Sequence, residues 1–116
     1  MRFESEVISE EIIPAVRKII AEELHQSYGH TQEEIAETMG LTQPAVSQYL
    51  KAKRADSSLV KDLKEDPQTQ LLIEEAVSKA ARNKDFVDEM AEVIKTGRDK
   101  GLFQEKFEGV ERVSNP

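Results

Sequence analysis

Thr31-Gln32-Glu33-Glu34-Ile35-Ala36-Glu37-Thr38-Met39-Gly40-Leu41-Thr42-Gln43-Pro44-Ala45-Val46-Ser47-Gln48-Tyr49-Leu50 is the stretch that decides the reading of this chain. It opens in capping-box order: the Thr31 hydroxyl can accept from the Glu34 amide while the Glu34 side chain reaches back, which predicts a helix from Gln32. Gly40, free to take a left-handed backbone, ends that helix. Thr42 caps the next one, with Pro44 in its first turn, where a missing N–H costs little. Two short helices that cross steeply through a tight turn need three things: a small residue where the backbones meet, a glycine in the turn and apolar residues between them. Ala36 is the small contact, Gly40 makes the turn, and Ile35, Leu41, Val46 and Leu50 (or Tyr49) form the seam. The spacing therefore predicts a helix-turn-helix over 31–54, its second helix covering 42–51.

Helical periodicity continues on both sides. Before the motif, Ile12, Ile13, Val16, Ile19, Ile20 and Leu24 recur at helical spacing and predict an amphipathic helix from Ser9 to Tyr28, which starts near Ile13 or kinks there because of Pro14. After it, a short helix is expected over Ser58–Lys64. Asp66-Pro67 starts another, running to about Arg82 with Leu71, Leu72, Ala76, Val77, Ala80 and Ala81 on one face. A last helix from about Lys84 presents Phe86, Val87, Met90, Val93 and Ile94 and is expected to end at Gly97. From Gln104 the chain reads as a loose polar tail, with Leu102, Phe103 and Phe107 able to tuck onto the body. The organisation expected is residues 1–57 for the first helix and the motif, 58–103 for a helical extension that completes the core or dimerises, and 104–116 for the tail.

The phrase Leu-Thr-Gln-Pro-Ala-Val-Ser-Gln-Tyr-Leu at 41–50, preceded by Thr-Gln-Glu-Glu-Ile-Ala at 31–36, resembles the lambda-repressor-like, or Xre-type, regulators, and more closely a group of small archaeal transcription regulators. The resemblance covers roughly residues 8–54. It implies an all-α, lambda-repressor-like helix-turn-helix bundle with C-terminal helices, acting as a sequence-specific, cytoplasmic regulator of transcription on double-stranded DNA. It further implies that Gln32, opening the first helix of the motif, bonds a DNA phosphate and braces the second helix.

With Val46 and Leu50 facing inward, Gln43, Pro44, Ser47 and Gln48 face the major groove. Glutamine can bond adenine N6 and N7 together, serine suits several bases, and Pro44 or Ala45 can touch a thymine methyl. Gln43 and Gln48 are the leading base readers. Lys51, Lys53 and Arg54 cluster just beyond the second helix and are expected to hold phosphates, a role that positions without reading sequence; they also suit a helix C-terminus. Arg17 and Lys18 are weaker phosphate candidates. His25 and His30, five residues apart across Gly29, do not fall on one helix face, and no metal or other cofactor is expected. The pairs Glu10-Glu11, Glu22-Glu23 and Glu74-Glu75 read as solvated charge.

At 116 residues, with 38% hydrophobic and 34% charged residues, the chain suits one soluble helical domain. It has no cysteine, which excludes disulfides and thiolate metal sites. No apolar run approaches a membrane span, and the first residues lack the order of a secretion signal, so the cytoplasm is expected. The formal charge of −7 divides into −3 for residues 1–54 and −4 for the rest, which excludes a histone-like coat and leaves a regulator whose positive charge lies on one face. No nucleophile with a base can be assembled, so enzyme activity is not expected. Leu72, Val77, Phe86, Met90, Val93 and Ile94 can either complete the core or bury a homodimer interface that presents two reading helices one DNA turn apart. The competing class is a protein-interaction or antitoxin-like module that keeps the motif's shape but binds a protein partner through its C-terminal helices.

Overall fold

Pro14 sets the winding of the N-terminal third. Its ring lacks an N–H and would collide with the Glu10 carbonyl in an unbroken α-helix. The chain answers with α1 (Glu4–Val7), a π-helical turn (Ile8–Ile12) and α2 (Ile13–Gln26). In the wide turn the Ile13 N–H reaches back five residues to the Ile8 carbonyl, which opens the coil just ahead of the ring. The disturbance expected at Pro14 is thus an inserted π turn, and helical backbone extends upstream to Glu4.

The structure, a computed structural model, describes residues 2–51 and 55–110, and its regular elements are all helical. α3 (Gln32–Met39) and α4 (Gln43–Leu50) follow the first rod, then α5 (Ser57–Glu65), α6 (Pro67–Ala81), α7 (Val87–Asp99) and the short α8 (Gln104–Phe107). Several boundaries follow from local chemistry. Asp66 ends α5 and caps α6 by accepting from the Thr69 N–H at 2.9 Å, with Pro67 in the first turn. Asp56 accepts from Ser58 N and Leu59 N at 2.8 and 3.1 Å and starts α5 in the same way.

Gly97 does not end α7, which continues to Asp99. The helix terminates at Gly101, whose φ of +75° allows the Leu102 N–H to return to the Gly97 carbonyl at 2.9 Å. Gly97 is required for a different reason. The Phe103 ring lies directly on it, so that a Cβ built there would stand 2.4 Å from Phe103 Cζ. Phe103 is fully buried as a result, and the segment after it does not run loose: residues 104–107 form α8, with the Arg98 guanidinium 4.3 Å from the centre of the Phe107 ring. Residues 111–116 of the expected tail lie outside the described residues.

One cluster of buried apolar side chains draws on the chain from Val7 to Phe103. Ile12, Val16, Ile19, Ile20 and Leu24 of the first rod meet Ile35, Val46 and Tyr49 on one side and Leu59, Leu63, Ile73, Ala76 and Val77 on the other. α6 and α7 form a helical hairpin across a turn in which Asn83 takes a φ of +56°, and Lys79 of α6 bonds Glu89 of α7 at 2.5 Å. Val77 and Val93 lie inside this core and cannot also cover a partner, whereas Leu72, Phe86, Met90 and Ile94 are half-buried at its edge. No helix among the described residues is long and apolar enough to cross a membrane.

Candidate nucleic-acid interface

α3, the turn at Gly40 and α4 assemble from the interactions their residue types dictate. The Thr31 hydroxyl accepts from Glu34 N at 3.1 Å, and the Glu34 carboxylate accepts from Thr31 N at 2.9 Å. Those backbone and hydroxyl bonds to the charged form hold the Glu34 carboxyl below its ordinary pKa. At the other end Gly40 adopts φ +65°, and the Leu41 N–H closes onto the Ala36 carbonyl at 2.9 Å. Thr42 then accepts from Ala45 N at 3.2 Å, with Pro44 in the first turn of α4.

The inner face of α4 consists of Ala45, Val46 and Tyr49, all buried. Tyr49, 1% exposed, takes the seam position for which Leu50 was the first candidate; Leu50 and Leu41 pack half-buried beside it. Ile35 and Ala36 of α3 close the seam. Ala45 is thereby withdrawn from any contact with a thymine methyl. Gln43, Pro44 and Gln48 lie exposed on the opposite face, Ser47 is half-buried, and Lys51 is exposed at the C-cap. Gln32 is half-buried at the first position of α3. Lys53 and Arg54 lie outside the described residues.

The two weaker phosphate candidates separate. Lys18 is only 5% exposed: its ammonium donates to the Tyr49 carbonyl at 2.6 Å and lies 3.4 Å from the Glu22 carboxylate. It lies beneath α4 and cannot reach a phosphate. Sequence alone shows the Lys18–Glu22 spacing of a helix-surface pair, and only the packing of α2 against α4 turns that pair inward. Arg17 is half-buried in a groove of about 550 Å³ between Met39-Gly40 and Phe86-Val87.

Charge pairing differs across the molecule. Arg2, Lys79, Arg98, Lys100 and Lys106 are each held by carboxylates, Lys106 by both Glu11 at 3.0 Å and Asp56 at 2.6 Å. Lys51, beside the outer face of α4, meets no carboxylate among the described residues, as is true of Arg17, Lys84 and Lys95. His25 Nδ1 lies 3.1 Å from the His30 backbone carbonyl, so these two histidines meet through the backbone rather than by converging their rings. Among the described residues no group of three or more His, Asp or Glu is disposed to hold a metal. No family model, curated protein or solved structure matches the chain.

Proposed function

We propose that the protein is a sequence-specific DNA-binding transcription regulator whose α3–turn–α4 unit is a helix-turn-helix, with α4 as the helix that enters the major groove. The observation that carries this reading is the division of α4. Ala45, Val46 and Tyr49 are buried on one side, while Gln43, Pro44 and Gln48 are displayed on the other from a helix capped by Thr42. Gln43 and Gln48 read base edges, Ser47 and Pro44 contribute at the same surface, and Gln32 and Lys51 position the unit on phosphates, with Lys53 and Arg54 continuing the basic run. The acidity of the chain is compatible with this, because Lys51 beside α4 meets no carboxylate among the described residues, whereas Arg98, Lys100 and Lys106 are paired away from it.

The regulator works as a homodimer in the cytoplasm. A single small basic footprint supplies little counterion release, and two copies double it. Leu72, Phe86, Met90 and Ile94 retain enough exposure to contribute to the contact, together with Val87, which is 65% exposed.

Selection from a pool of random DNA duplexes tests the reading. The expected result is a two-fold-symmetric site, lost from preference when Gln43→Ala and Gln48→Ala are combined, each side chain being worth about 1–3 kcal/mol of discrimination. Lys51→Ala should weaken all sequences alike and reduce the salt dependence by about one phosphate per subunit. If nothing is enriched even at low salt, the isolated chain is not a DNA reader, and a protein partner for the C-terminal helices becomes the reading to pursue.

A further inference from the structure

The structure assigns Lys18 a role as a positioning residue: its buried ammonium pins the C-terminal end of α4 and so sets where the outer face of that helix stands. The inference rests on the DNA-reading function of α4 but goes beyond it, because Lys18 touches no part of the exposed face.

Lysine is almost never fully buried without a partner, yet Lys18 is 5% exposed in the middle of α2. Its ammonium reaches the Tyr49 carbonyl at 2.6 Å, in the last turn of α4. The C-terminal end of a helix carries partial negative charge. A cation reaching in from a neighbouring helix is therefore favourably placed against that end of α4. α4 has only eight residues, too few to be stable alone, and its register depends on what holds its two ends. Thr42 and Pro44 fix the first end, and Lys18 fixes the second. The counter-charge comes from Glu22 at 3.4 Å, which also stands 3.9 Å from Lys64 of α5. The pin is thus tied through α2 toward the helices behind it. A base contact tolerates little displacement, because a bidentate pair requires both hydrogen bonds to form together. An unpinned α4 keeps its residues and loses their aim.

Lys18→Met, which keeps the volume of the stem and removes the donor, is the test, measured well below its melting temperature. Three readouts decide the matter: amide hydrogen exchange along the chain, affinity for the selected duplex, and affinity for a scrambled one. The expected variant keeps its helical circular dichroism but loses exchange protection at Tyr49, Leu50 and Lys51 more than in α6. Its preference for the selected over the scrambled duplex falls at least tenfold, while scrambled-duplex affinity stays within about twofold. A residue that serves stability alone would lower protection everywhere and leave that preference intact, which would overturn the proposal. A second measurement needs no variant: the Lys18 ammonium of the wild-type chain should give a slowly exchanging NMR signal, and exchange as fast as that of Lys51 would overturn the pin. If the wild-type chain selects no duplex, the DNA-reading function falls, while hydrogen exchange and the ammonium signal still decide whether Lys18 holds α4.

Discussion

Gly97 shows how a single position can be read correctly as special and for the wrong reason. A glycine near the end of an apolar period is the usual signature of a helix stop, and here the stop lies four residues later at Gly101. What Gly97 provides is the absence of a Cβ beneath the Phe103 ring, a contact between residues whose meeting depends on the turn after the helix. In an ordinary helix interior, alanine would be favoured over glycine by about 1 kcal/mol. In Gly97→Ala the collision with a fully buried ring outweighs that gain, and a net loss of about 1–2 kcal/mol is expected in urea denaturation. Placing the same change in a Phe103→Leu background should remove most of the loss, because the smaller side chain frees the space; an unchanged penalty there would show that the ring contact is not its source. Lys18 was hidden from sequence in a similar way. Its residue type and its spacing to Glu22 describe a helix surface, and only the crossing of α2 under α4 makes that surface an interior.

At the scale of elements, the legible parts were those whose cause lies within a few residues. Thr31 with Glu34, Gly40, Thr42 with Pro44, and Asp66 with Pro67 each specify a boundary by hydrogen bonds spanning three to five positions, and the helices begin and end accordingly. Pro14 announced a disturbance, although the form it takes, a π turn with α-helix on both sides, depends on how far the upstream residues can pack. α8 was not legible, because nothing inside Gln104–Phe107 compels a helix. Its support comes from elsewhere: Phe103 on Gly97, Phe107 under Arg98, and Lys106 between Glu11 and Asp56. Lys106→Met should therefore loosen α8 selectively. Hydrogen exchange at Lys106 and Phe107 is expected to rise several-fold, with about 1 kcal/mol lost overall. Raising salt in the wild type should move exchange in the same direction, whereas equal protection in the variant would mean that the two aromatic contacts alone hold the helix.

The whole molecule behaves as an acidic protein whose carboxylates do structural work. Hydrogen bonds from Lys106 and from Arg2 hold Asp56 and Glu11, respectively, below their ordinary pKa values, and Lys100 and Lys79 do the same for Asp66 and Glu89. A carboxyl group with a lower pKa when folded contributes stability above its unfolded pKa and loses it as pH falls through the folded value. The melting temperature should accordingly be level from pH 7 to about 5 and fall steadily below about 4. The fall should be shallower in Lys106→Met, in which Asp56 has lost its main partner; an identical acid limb would place the acid sensitivity elsewhere. The ion pairs of this set also have an order in time. Arg98 meets Glu4 across 94 residues of chain, and Lys106 closes on Glu11 later still. A ribosome making this chain delivers the acidic half of each pair long before the basic half. These two latches therefore cannot close until the segment that carries Arg98 and Lys106 has left the ribosome, and until then Glu11 has Arg2, only nine residues away, as its nearby cation.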